Sequence, residues 1–255
     1  MKTLVVIGGN GMLGSDLVRH LSATFRVTAI DRKNYSTYIG SSFDVLINAN
    51  GNSKRFWANT NIFDDFTAST VSVYKSIFDF KFSTYVYISS SDVYANHSGS
   101  QFTSENQAQD SSKLSAYGFH KYLSERIVEN NCRNYIILRS SLILGSNLKK
   151  GPLYDILNRK PFYISDSSRL QLITTKEISR IISFLLNKKI TKEIFNMGGK
   201  GIVDFKKIQK YFSVPVTFSK DTEIQIYETN VSKLNNIFPL KTSELYLQEF
   251  LKTLQ

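Results

Sequence analysis

One cysteine, Cys132, stands in 255 residues. No internal disulfide can form, and with so few thiols a structural metal site is not expected. Long hydrophobic runs are missing as well. The opening "MKTLVVIGGNGMLG" has a lysine and an apolar run, but glycines interrupt it before the roughly seven residues a signal-peptide core needs. Nowhere does an apolar run approach the roughly eighteen residues of a membrane span. Acidic residues are scarce, 21 against 32 lysines and arginines, which leaves a formal charge of +11. That charge is scattered, and its densest cluster, "LNKKITKE" (186–193), has the pattern of an exposed helix end. No basic run interleaves with aromatics in the manner of a nucleic-acid groove. A diffuse positive field favours a small anionic ligand such as a nucleotide. These absences lead to the expectation of a soluble cytoplasmic protein with no metal, no membrane and no nucleic acid among its partners.

What is present is enough apolar sequence for a full core. Hydrophobic residues make up 42% and charged residues 21%, the proportions of a globular chain. The length suits one large domain, or one domain with a small appendage. "TLVVI" (3–7) is β-branched and does not alternate, the pattern of a strand buried on both faces. "FRVTAI" (25–30), "DVLIN" (44–48), "TYVYIS" (84–89) and "NYIILR" (134–139) repeat it. Between them, "MLGSDLVRHLSA" puts Leu13, Leu17, Val18 and Leu21 on one helical face. "DFTASTVSVYKSIFDF" (65–80) does the same with Phe66, Val73, Ile77 and Phe80. Strand and helix in alternation predict an α/β fold with a doubly wound parallel sheet. After Arg139 the regularity loosens. "GSNLKKGPLYDILNRKPFY" holds two of the four prolines, and "TTKEISRIISFLLNK" follows as a helix with Ile178, Ile181, Ile182 and Leu185 inward. The expected division is a dinucleotide-binding domain over 1–145 and a small substrate-binding cap over 146–255, parts of which return to the sheet.

The first strand runs directly into glycines at 8, 11 and 14, and then into a helix. Gly8 suits a tight turn and Gly11 lets the backbone approach a pyrophosphate. Gly14 lets helix and strand pack closely, and the N–H groups of Met12 and Leu13 face the phosphates. Asp31 ends the second strand, where a carboxylate binds ribose hydroxyls and repels a 2′-phosphate. The cofactor expected is therefore NAD. NADP stays open, because Arg32 and Lys33 follow directly. The turn "NANG" after the third strand adds Asn48, Ala49, Asn50 and Gly51 to the cofactor cleft, with Asn52 and Lys54 at its rim. Further on, Tyr117 and Lys121 share a helix face by their spacing.

"GGNGMLG", "DVLINANG", "YVYISSSDVY", the Tyr117 and Lys121 pair and "ILRSSLILG" occur in an order and spacing that resembles the extended short-chain dehydrogenase/reductases. Within them the chain resembles the NAD-dependent epimerase/dehydratase family. The resemblance is close over about residues 1 to 145 and thin beyond. It implies a Rossmann-type fold and a catalytic trio of Ser90, Tyr117 and Lys121. Ser90 falls three residues before Val93 of the "VYG"-like motif, where the family has its catalytic hydroxyl. Hydride transfer at a carbinol carbon needs a proton moved at its oxygen. A phenol serves only with help from a nearby cation. Ser91, Asp92, Ser141 and Arg169 are implied at the substrate, and Lys149, Lys150 and Arg159 join Arg169 as candidates for its diphosphate.

The family's dehydratases carry Asp then Glu after the hydroxyl, whereas here Ser91 precedes Asp92, which disfavours dehydration. "LRSSLILG" is similar to the matching stretch of 4-keto-sugar reductases related to dTDP-4-dehydrorhamnose reductase. Reduction of a 4-keto nucleotide sugar for surface polysaccharide synthesis is the expected activity. Nucleotide-sugar 4-epimerisation and a non-catalytic dinucleotide-binding regulator are the alternatives, and a homodimer is an open expectation. Three departures stand out. Asp31 to Asp44 is too short for an extra strand, "NANGNSKRFW" replaces the family's usual small-residue turn, and Thr70 stands near the family's structural Asn. His120 reads as helix surface.

Overall fold

Five of the β-branched runs become parallel neighbours in one sheet: β1 (Thr3–Ile7), β2 (Arg26–Ile30), β3 (Ser42–Asn48), β4 (Lys81–Ser90) and β5 (Tyr135–Ser140). The computed structural model describes residues 1–52, 55–212 and 218–254; Lys54 lies outside them. A sixth parallel strand, Glu193–Met197, pairs with β5, and the order across the sheet is β2, β1, β3, β4, β5 and then this strand. Leu4, Val5 and Val6 have no exposed surface, which is why β1 shows no polar alternation. Its neighbours cover both edges and helices cover both faces.

One face carries Leu4, Val6, Val45, Ile47, Val86 and Ile136. These pack on Leu13, Leu17 and Leu21 of the helix Met12–Leu21 and on Ile178, Ile181 and Leu185 of the helix Thr175–Asn187. The other face carries Val5, Ile7, Leu46, Tyr85 and Ile137 against Val73 and Ile77 of the helix Ser72–Asp79 and Val128 of the helix Ala116–Asn131. Residues 175–197 thus return from the C-terminal part of the chain to complete the sheet and its cover. A third apolar cluster, with Leu153, Phe162, Leu170, Phe205 and Phe250, is drawn from the part of the chain after β5.

Two local findings refine the sequence reading. Between β2 and β3 there is a short 3-10 turn, Tyr35–Tyr38, and no strand among the described residues, so β2 is the sheet edge. The helix expected over 65–80 is divided into Ile62–Phe66, a widened π turn at Thr67–Val71, and Ser72–Asp79. Hydroxyl bonds accompany the division. Ser72 Oγ donates to the Ala68 carbonyl at 2.6 Å, and Thr70 Oγ1 reaches across to the His120 carbonyl at 3.2 Å. Such side-chain bonds compete with the helical ladder.

Candidate active site

The chain leaves β1 for β2 on one side and returns to β3 on the other, so the carboxyl ends of β1 and β3 flank a crevice of the kind in which such sheets hold ligands. Gly8 turns the chain there with φ of +81°, and a side chain on it would strike the Ala49 carbonyl at 3.0 Å. Gly14 admits no side chain at all, since its Cβ would lie 2.0 Å from the Gly8 carbonyl oxygen. Gly11 is the N-cap of the helix Met12–Leu21, with no side-chain cap and no acidic residue in the first turn. The first N–H groups of a helix have no partner within it, and here they open onto the crevice with their positive dipole end uncovered. That arrangement fits the pyrophosphate of a dinucleotide.

Asp31 is held in place by donors from Asn10 Nδ2 at 2.5 Å and from the backbone N–H groups of Lys33 and Asn34 at 2.8 and 3.3 Å. The Asn10 bond and then the Lys33 bond keep its carboxyl below the usual range, so the edge of the crevice carries a fixed negative charge, with Arg32 and Lys33 exposed beside it. Asn48 is fully buried and its side chain shapes the turn: Nδ2 donates to Tyr85 at 2.9 Å and Ser76 at 3.2 Å, and Oδ1 accepts the Asn50 N–H at 3.1 Å. Gly51 follows at φ of +116°.

β4 and the helix Ala116–Asn131 bring the catalytic candidates together. Ser115 caps this helix, accepting the Gly118 N–H at 3.2 Å. Gly118 presses against the turn Ser91–Val93, where a Cβ would sit 2.2 Å from the Asp92 carbonyl oxygen. The strand and helix are then joined twice more: Lys121 Nζ donates to the Ile88 carbonyl at 3.1 Å, and Ser89 Oγ donates to Glu125 at 2.6 Å. Glu125 is completely buried and paired with Arg139 of β5, whose Nη2 lies 2.7 Å away. Tyr117 and Lys121 are both buried. Burial, then the Asp92 carboxylate, push the Tyr117 phenol upward while the Ser90 hydroxyl opposes them. Burial pulls Lys121 down to about 8, against the pull of Asp65 and Glu125.

Ser90 Oγ donates to Asp92 Oδ2 at 3.0 Å, and the Asp92 N–H returns a bond to Ser90 Oγ at 3.2 Å. Asp92 is held from two further sides, by Arg55 at 2.7 Å and by the Tyr227 hydroxyl of the cap at 3.1 Å. Next to it opens a cavity of about 300 Å³, lined by Arg55, Asp92, Tyr94, His97, Lys113 and Ser115 among others. Ser91 is buried at the head of the turn. Ser141 is buried with a hydroxyl that has no partner, close to Gly198. Arg169, Lys149 and Arg159 are exposed side chains of the cap.

His120 corrects the expectation of a surface residue. It is 4% exposed, and its Nδ1 lies 2.6 Å from Oδ2 of the buried Asp65. The helix Ile62–Phe66 covers the side on which it lies. Sequence reading also missed Arg55, Asp65 and Tyr227; only Gly118, fixed by its place directly after Tyr117, had a local signal.

Fold and crevice are those of a Rossmann-type dinucleotide-binding protein. The chain belongs to the NAD-dependent epimerase/dehydratase family, whose model matches residues 4–198. Among solved structures, the UDP-glucuronic acid 4-epimerase of Bacillus cereus, in complex with UDP-glucuronic acid and NAD, is 15% identical with a TM-score of 0.79, over 99% of this chain and 100% of that one. The dTDP-4-dehydrorhamnose reductase of Clostridium acetobutylicum also gives 15% and 0.79, over 99% of each chain. The Bacillus anthracis reductase of the same name, in complex with NADP, gives 17% and 0.78 over the whole of both. At such identities the likeness is one of fold. No curated protein matches the sequence.

Proposed function

We propose that the protein is an NAD-dependent oxidoreductase that reduces the 4-keto group of a nucleotide sugar. The observation that carries this reading is the convergence of Ser90, Tyr117 and Lys121 beside a cavity, at the mouth of a crevice with an uncapped helix N-terminus and an ionised Asp31. NAD in its reduced form supplies the hydride when bound. The rest falls to the chain's own groups. Ser90 holds the substrate oxygen and fixes its approach. Tyr117, whose surroundings keep the phenol protonated, gives that oxygen its proton. Lys121 places a positive charge next to the reacting groups and holds the nicotinamide ribose.

Support for NAD over NADP comes from Asp31, and support for reduction over dehydration from the single carboxylate, Asp92, after Ser90. The test is a screen of the purified protein with reduced NAD and reduced NADP against 4-keto nucleotide sugars, followed by loss of nicotinamide absorbance. UDP-hexoses without added reductant form the second arm. Turnover only in that arm would replace the reductase by a 4-epimerase. Tight cofactor binding with no turnover in either arm would favour a dinucleotide-binding regulator.

A further inference from the structure

Next to the catalytic trio lies a polar cluster that the proposed reaction leaves unused. Asp65 is wholly buried. Its carboxylate has His120 Nδ1 at 2.6 Å and takes hydrogen bonds from Asn52 Nδ2 at 2.9 Å and Ser69 Oγ at 3.5 Å. A carboxylate is an acceptor, so Nδ1 of His120 carries the proton of their bond. His120 directly precedes Lys121, its ring packs edge-on against Phe66 at 5.4 Å, and its carbonyl takes the Thr70 and Ser124 hydroxyls. Ser69 and Thr70 belong to the π turn Thr67–Val71, a helix irregularity that recurs at functional sites. On the opposite side, a side chain on Gly51 would begin 3.3 Å from Ser69 Oγ and 3.7 Å from Lys121 Nζ. The Asp65 cluster and the ammonium therefore face the same small space.

The other groups around Lys121 are already matched. Glu125, on the same helix, is bound through both oxygens by Arg139 of β5. Asp92, beyond β4, is paired with Arg55. Tyr117 on the helix and Tyr87 on β4, whose ring lies 5.0 Å from Nζ, are phenols. Among the described residues, no lysine or arginine forms a salt bridge with Asp65.

We propose that Asp65, fixed by His120, is a positioning residue of this active site, its buried carboxylate being the counter-charge that keeps Lys121 an ammonium. The proposal rests on the reading of Lys121 given above. Burial drives Lys121 toward the neutral amine, and Asp65 is the larger of the two charges that resist it. His120 acts at one remove, because its ring, 2.6 Å from Oδ2, holds the Asp65 carboxylate in place.

The experiment is a pH titration of the cofactor-free protein by NMR, with labelled lysine and histidine and with Lys121→Met to assign the Lys121 signal. Lys121 should titrate near pH 8 in the wild type. Asp65→Asn should lower that midpoint by about one unit, a tenfold loss of proton affinity. His120→Leu should lower it similarly, while His120→Gln, which keeps a donor, should leave it in place. An unmoved midpoint in Asp65→Asn overturns the proposal, and one unmoved in His120→Leu removes His120 from it. Should Asp65→Asn fail to fold, the wild type decides alone: the His120 ring signals must inflect at the Lys121 midpoint, and a flat response there overturns the coupling. No cofactor or substrate enters the titration, so a failed substrate screen would count against the proposed reaction without altering this outcome.

Discussion

In the proposed reduction, Tyr117 is an acid in an environment that discourages its ionisation, and Lys121 a cation in one that discourages charge. Both conditions come from burial. Removing the phenol in Tyr117→Phe should cost roughly 10²–10⁴ in single-turnover hydride transfer, with cofactor affinity little changed. Lys121→Met should damage both, and the double variant should lose far less than the product of the two, since the residues act together. The pH dependence has a definite sign. With its midpoint pulled down to about 8, the ammonium is present below that value and lost above it, so cofactor affinity should fall as pH rises through 8. Calorimetry across that range checks it, and a flat curve would contradict the role given to Lys121. Ser90, Tyr117 and Lys121 could be proposed from the sequence because the motifs that carry them are local. His120 could not be, because what buries it is Asp65, 55 residues earlier in the chain, on a helix whose position no periodicity of the tyrosine helix can reveal.

Between residues and molecule stand the elements, and here the helix Ala116–Asn131 is placed by an absence. Gly118 has no side chain, and the Asp92 carbonyl occupies the space one would take, 2.2 Å from the would-be Cβ. Alanine inside a helix is ordinarily more favourable than glycine by about 1 kcal/mol. Gly118→Ala should reverse that sign and destabilise by about 1–3 kcal/mol, the cost of overpacking, while pushing Tyr117 away from Ser90. Urea unfolding and single-turnover rates measure the two effects, and a stabilised variant would show that the helix does not depend on this contact. The strands were readable at this scale because burial on both faces leaves unbroken β-branched runs. The π turn was not, since the apolar residues on either side keep a helical spacing and the hydroxyl bonds at Thr67–Val71 leave no periodic mark in the sequence. The helix Arg55–Thr60, which delivers Arg55 to Asp92, follows the turn after β3 and carries no motif of its own.

At the scale of the whole molecule, the N-terminal and C-terminal parts of the chain share one core, and Asp16 ties them together. It is 2% exposed on the helix Met12–Leu21 and accepts hydrogen bonds from the Ser146 hydroxyl and the Thr175 hydroxyl, both at 2.6 Å, and from the Ser146 N–H at 3.0 Å. Burial by itself would raise its carboxyl, but the bonds from Ser146 and Thr175, with Arg19 nearby, outweigh it and bring it below the usual range. A carboxyl lowered by folding adds stability that is complete above its unfolded value, near pH 4, and is lost as pH falls through the folded one. Asp16→Asn should therefore destabilise the protein by about 1.5–3 kcal/mol at pH 7, the worth of a bond to a charged group, and the gap should close as pH falls through the folded value. Trp57, the single tryptophan, lies in the helix Arg55–Thr60, so its fluorescence follows the N-terminal part of the chain while circular dichroism follows the whole chain. Because the halves share a core, the two signals should unfold together in urea, in wild type and variant alike. A gap between variant and wild type that stayed constant from pH 7 to pH 2 would mean that the Asp16 charge contributes nothing. Separate transitions for the two signals would mean that the halves fold independently despite the core they share.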